Sequence, residues 1–182
     1  MEREELLQEL KKRLKEDNII KHLLATEAVM KSLAIHFSEN ADLWGIAGLT
    51  HDIDYDSTSH SLKRHGIEGA KVLQDLGLDE RIVYAVKAHN PVLNLPRNSK
   101  LDKALYAADP VTGLITACAL VKGKRLSNVS LDFLIKRFKE KRFAEGANRE
   151  QIASCSDIGL SLEEFLNLSL DAMKNISEEL GL

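Results

Sequence analysis

His51 and Asp52 stand side by side where an apolar run, Leu43 to Leu49, gives way to the polar residues 53–57. An imidazole and a carboxylate at one helix end can grip a single divalent metal, since neutral imidazole and carboxylate together suit Mn, Fe, Zn, Ni or Mg. The pair alone is common. It gains meaning from His22 upstream, from His65 and His89 downstream, and from Asp109 in an otherwise apolar segment. The order His, His-Asp, His, His, Asp offers six ligands, enough for two metals.

Each member has an ordinary reading beside the chemical one. His22 lies among Ile19, Ile20, Leu23 and Leu24, where a lone histidine is often a satisfied core residue. Asp109 sits between Ala104–Ala108 and Val111–Ile115. Burying its carboxylate there would cost several kcal/mol unless it were paired or metal-bound. The Asp109-Pro110 step could instead break the helix and release the acid to solvent. The set decides in favour of ligation: His22, His51, Asp52 and Asp109 satisfy one metal, and His65 and His89 complete a second through Asp52. His36 lies fourteen residues after His22 on the same helix, about 21 Å away at about 1.5 Å per residue, and is read as a surface residue. His60, in the loop after the dyad, is read as a solvated residue.

These ligands need helices to hold them. Almost the whole chain reads with a 3.6-residue apolar period. Helices are expected over 3–16, 19–37, 41–51, 65–76, 79–89, 100–121 (interrupted at Asp109-Pro110), 131–142 and 149–155, with a last one opened by the capping box Ser161-Leu162-Glu163-Glu164. Asp79 is expected as an N-cap, and Gly77 as a helix stop. The 3–16 helix can pack on the core or on a partner. Residues 52–62 and 91–98 read as loops lining a pocket. No strand, repeat or low-complexity linker stands out. The reading is a single all-α domain over 1–182, with its motif core over about 19–122 and C-terminal helices over about 130–182.

Composition narrows the function. At 182 residues the chain can build one real core. A net charge of −3 without a long basic block argues against nucleic acid as a partner. A small anionic substrate stays open, because a bound metal makes its own positive field. Cys118 and Cys155 lack metal-binding spacing and read as buried thiols of a reducing compartment. The charged N-terminus does not look like a secretory signal, and no run of about 18 apolar residues is free of charge. The expectation is a cytoplasmic protein with no membrane partner.

The segments His22, THDIDYD with His51-Asp52, HGIEGAKVL from His65, AVKAHN ending at His89-Asn90, and AADPVTGL with Asp109 resemble the HD superfamily of metal-dependent phosphohydrolases. More narrowly, the chain is similar to small HDIG-type hydrolases, including KEKRFAEGANREQI at 139–152. The resemblance implies an all-helical bundle around a central metal. It implies metal contacts from His22, His51, Asp52 and Asp109, joined in binuclear relatives by His65 and His89. This sequence departs from the His-Asp-x-Gly-Lys pattern of many members, having Asp54 and Tyr55 at the last two places. It also lacks the Gly-Tyr-Pro motif of the cyclic-dinucleotide branch, so that substrate is not carried over.

The function expected is hydrolysis of a phosphoester, a nucleotide in the first instance, by water activated at one or two divalent metals. Asp52 and Asp54 are the expected catalytic acids, with Asp54 orienting water. Arg64, Lys141 and Arg149 are the cations expected to clamp the phosphate. Two rivals stay open on the same ligand set: a di-iron oxygenase, and a nucleotide-binding module without catalysis.

Overall fold

The computed structural model describes residues 1–58 and 61–182. His60 lies outside the described residues. Among those described, the chain is helical without strands: α1 (Arg3–Arg13), α2 (Asp17–His36), α3 (Ala41–Thr50), α4 (Tyr55–Thr58), α5 (Ile67–Asp75), α6 (Glu80–Ala88), α7 (Lys100–Val121), α8 (Leu131–Lys139), α9 (Arg149–Ala153), α10 (Leu162–Asn175) and α11 (Ser177–Leu180).

Local signals set most of the helix ends. Asn40, Asp79, Ser130 and Asn148 accept backbone N–H groups at the starts of α3, α6, α8 and α9. Ser99 and Ser161 form capping boxes with Asp102 and Glu164. Two expectations change. His65 precedes α5 rather than opening it, because Gly66 takes φ +79° and no helix can run through that conformation. The segment at 52–62 is not all loop, since α4 occupies part of it.

The α7 helix is the axis of the fold. It runs unbroken through Asp109-Pro110, against the expected interruption. Pro110 removes one helical N–H, a local cost of about 3 kcal/mol. The burial of Leu105, Val111, Leu114, Ile115 and Cys118 outweighs it. By length and composition α7 could cross a membrane, but most of its apolar surface is buried against other helices, chiefly α2, α6 and α9.

α2 and α3 make the closest pairing. Gly48 explains it: a Cβ there would come within 2.7 Å of the Thr26 carbonyl oxygen. The missing side chain lets His22 on α2 approach His51 at the end of α3. The α1 helix packs on the core rather than standing free. Leu6 and Leu10 are fully buried, and Arg3 pairs with buried Glu27, which also takes Lys31 at 2.7 Å.

Candidate metal centre

Five elements deliver the six predicted side chains to one place. α2 brings His22, the end of α3 brings His51 and Asp52, the turn before α5 brings His65, the end of α6 brings His89, and the middle of α7 brings Asp109. The His22 and His51 Nε2 atoms lie 3.1 Å apart, and the His22 Nε2 lies 3.2 Å from Asp109 Oδ1. On the other side, the His65 and His89 Nε2 atoms are also 3.1 Å apart. Each faces Asp52 Oδ1, at 3.3 and 3.4 Å. Asp52 Oδ1 is 3.6 Å from His51 Nε2, so Asp52 and His51 stand between the two halves.

The outer nitrogens explain why every Nε2 points inward. His51 Nδ1 meets the Gly48 carbonyl at 2.8 Å, and His89 Nδ1 meets the Val86 carbonyl. A carbonyl oxygen only accepts, so both Nδ1 atoms carry hydrogen. His65 Nδ1 donates to the Asp54 carboxylate at 2.9 Å. His22 Nδ1 meets the Thr112 hydroxyl at 3.0 Å. That hydroxyl gives its own proton to the Asp109 carbonyl at 2.9 Å, so it accepts from His22. All four imidazoles are therefore Nδ1–H, and in the neutral form all four Nε2 atoms present lone pairs to one another and to two carboxylates. Lone pairs 3.1 Å apart need positive charge between them. Nitrogen and oxygen donors in this arrangement suit a borderline divalent metal. Two overlapping triads could hold one: His22, His51 and Asp109, and His51, Asp52 and His89.

The electrostatics point the same way. Burial pushes the His51 pKa down, but the Asp52 and Asp109 carboxylates reverse this and hold it up at about 9. Burial would raise both acids, yet His51 and His89 hold Asp52 far below the usual carboxylate range, and His22 and His51 do the same for Asp109. Burial lowers the His65 pKa, but the hydrogen bond to Asp54 and the charges of Asp52 and Asp54 together outweigh it, so the net direction is up. Without metal, the centre draws protons onto its histidines.

Two expected roles change. Asp54 is buried with both oxygens engaged: Oδ1 by His65, and Oδ2 by the backbone N–H groups of Gly66 and Gly69 at 2.8 Å each. Three N–H donors and burial already engage it, and its visible action is to aim His65. Gly69 is required here, since a Cβ would meet the Asp54 carboxylate at 3.2 Å. Arg149 is not a substrate clamp. Its three guanidinium nitrogens donate to the carbonyls of Arg137, Phe138, Glu140, Phe143, Ala144 and Ala147. A planar fork of five N–H groups is suited to gathering the carbonyls of such a loop.

Of the remaining cations, Arg64 is exposed beside His65 but engaged with Glu68 at 3.2 Å and with the Ser57 carbonyl. Lys141 is exposed at the start of the loop that Arg149 gathers. Later residues of that loop, Ala144, Gly146 and Ala147, wall a cleft of about 340 Å³ over His22 and Asp109. His36 is exposed at the far end of α2.

Sequence reasoning missed Thr112 and did not use Asn90. The Asn90 amide donates to the carbonyls of Leu62 and His65, tying the His65 turn to the end of α6. Thr112 lies three residues after Asp109, a spacing that places it one helical turn on; that was its signal. Arg97 also escaped notice. Its guanidinium stacks 3.8 Å over the Tyr106 ring, one turn before Asp109.

Comparison with known proteins agrees with this geometry. The family model of the HD domain matches residues 19–114, which include all six converging side chains. An uncharacterized protein of Methanocaldococcus jannaschii is 30% identical over 141 residues, covering 71% of this chain and 80% of its own. No solved structure matches the chain.

Proposed function

The chain belongs to the HD-domain family, and from that premise we propose that it is a metal-dependent phosphohydrolase that cleaves a small phosphomonoester, a nucleotide in the first instance. Members of this family are generally metal-dependent hydrolases. The observation that carries the reading is the shared tautomer: four Nε2 lone pairs, each aimed by a partner on Nδ1, converge on two carboxylates.

In this reading His22, His51, Asp52 and Asp109 would hold one divalent metal, and His65 and His89, together with Asp52, would hold a second. When bound, such metals bring the pKa of water toward neutrality and draw charge from phosphoryl oxygens. The chain's own residues do the rest. Gly48, Val86, Asp54 and Thr112 accept from the four Nδ1–H groups and keep the imidazoles turned so that their Nε2 atoms face the centre. The walls at Ala144, Gly146 and Ala147 narrow the approach above Asp109. Lys141 reaches the substrate phosphate, and Arg64 adds positive field beside His65. In the overall reaction the bond from phosphorus to the leaving oxygen breaks, and water supplies the new oxygen. A water proton ends on the leaving alcohol, releasing inorganic phosphate.

The test is metal content per chain after anaerobic purification, followed by phosphate release from p-nitrophenyl phosphate and a nucleotide panel. The reading expects one or two metals per chain and metal-dependent release. Asp52→Ala should lose metal and activity while keeping the helical fold. His36→Ala should keep both. Full metal content in the Asp52 variant would overturn the site. Iron with oxygen consumption and no phosphate release would replace hydrolysis with oxygenase chemistry. Nucleotide binding without turnover would make the protein a binding module.

A further inference from the structure

The cleft over Asp109 does not end there. It shares His22 and Gly113 with a second cavity of about 490 Å³ that runs along α7 toward its C-terminal end. The floor is one stripe of α7. Gly113, Thr116, Ala117 and Leu120 follow Asp109 at intervals of four, seven, eight and eleven residues, which is one helix face. None of these four is buried, whereas Leu114, Ile115, Cys118 and Ala119 between them are. From Asp109 to Leu120 the stripe covers about 16 Å at about 1.5 Å per residue.

Its chemistry is divided. Near the metal centre the floor is small, and a Cβ on Gly113 would meet nothing within 4 Å, so the groove is open there. Farther on, the floor becomes apolar at Ala117 and Leu120. Lys21, next to His22 on α2, and Lys124, just past α7, stand at its walls. Leu180, Gly181 and Leu182 form the facing wall, with Lys21 Nζ close to Gly181, and among the described side chains the cavity carries two lysines and no acid. A cavity of this size is in the range that holds a nucleoside-sized ligand.

We propose that this groove is the leaving-group subsite and that the substrate is an elongated organic phosphate with a second anionic group. The scissile phosphate sits over His22 and Asp109, the uncharged body lies on Gly113, Ala117 and Leu120, and the second anion is met by Lys21 and Lys124. This rests on the phosphohydrolase reading for the identity of the scissile group. It adds a selection rule: two anions separated by an organic body bind better than one.

The experiment is calorimetric titration of the metal-loaded full chain with adenosine 5′-monophosphate and with its N6-(1,2-dicarboxyethyl) derivative, which carries a second anionic group at the far end of the nucleoside. The derivative should bind about tenfold more tightly, the scale of one added charge-assisted contact. Lys21→Glu with Lys124→Glu should erase that preference, while Lys11→Glu, the same charge change on the exposed face of α1, should keep it. Gly113→Leu should weaken both nucleotides about tenfold by filling the groove. Leucine is the better helix former, so this variant should not lose its fold, which circular dichroism checks. Equal affinity for the two nucleotides, or a preference that survives the double reversal, would overturn the subsite. Failure of p-nitrophenyl phosphate hydrolysis in the same preparation would instead count against the phosphohydrolase reading, and the binding comparison would still decide the groove.

Discussion

The Asp54 carboxylate accepts a hydrogen bond from His65 Nδ1 at 2.9 Å and, with its other oxygen, from the N–H groups of Gly66 and Gly69. One buried side chain thus fixes a ligand's tautomer and the backbone turn that carries it. Asp54→Asn leaves the volume nearly unchanged but replaces an acceptor with a donor. Outer partners of metal-bound histidines are worth about 10- to 100-fold in affinity. We expect that loss for the metal on the His65 side, with the His22 side keeping its metal. Metal titration followed by elemental analysis would read it; unchanged stoichiometry and affinity would remove Asp54 from this role.

Thr112 does the same for His22 with one hydroxyl. Thr112→Val keeps the shape and deletes the acceptor, leaving the His22 Nδ1–H unpaired. Metal affinity on the His22 side should fall about 10- to 100-fold, and Thr112→Ser should restore it. A packing role alone would predict the reverse order, with valine tolerated and serine costly.

The Arg149 clasp is a stability prediction. Arg149→Ala abandons six carbonyls at once and should cost about 2–4 kcal/mol, discounted because the side chain is partly exposed. Arg149→Lys should rescue little, since a single ammonium cannot span the loop. Denaturant unfolding measures both, and limited proteolysis should find new cleavage within 140–148. Wild-type stability in either variant would show that the loop holds itself.

Proton linkage gives a pH profile. His51 is held at about 9 in the folded chain, against about 6.5 when unfolded. A raised pKa stabilises fully below about 6.5 and loses that contribution as pH climbs through about 9. His65 shifts in the same direction. Asp52 and Asp109 are lowered, so their contribution is present above about 3.9 and is lost as pH falls. Metal-free protein should therefore resist heat best between roughly pH 4 and 6.5 and weaken toward pH 9. A metal must displace the His51 proton, so the gain in Tm on adding metal should grow over pH 6.5–9. Thermal melts with and without metal across that range test the sign.

Close approach of α2 and α3 rests on Gly48. Gly48→Ala places a methyl 2.7 Å from the Thr26 carbonyl oxygen, which backbone alone must absorb. Overpacking of this kind costs about 1–3 kcal/mol. It should also separate His22 from His51, so metal affinity should fall together with Tm. Loss of stability with unchanged metal affinity would show that the two histidines adjust independently.

Much of this protein was legible in its residues. Apolar periodicity, capping residues at Asp79 and Ser161, and Gly77 after a helix are local effects, and local effects survive without tertiary context. The six converging side chains were legible too, because few roles suit isolated histidines and acids in apolar helices. What the tertiary structure decided is which polar atom faces which. Asp54 reads in the sequence as a loop acid free to hold water, yet folding brings it under Gly66 and Gly69, twelve and fifteen residues away, and engages both of its oxygens. Arg149 reads as a free cation, but the loop before it folds back and surrounds its guanidinium with carbonyls. The Asp109-Pro110 step reads as a break, and the burial of α7 on several sides overrides the missing N–H. In each case the outcome depends on partners distant in sequence, and hydrogen-bond satisfaction in a buried site is settled only when those partners arrive.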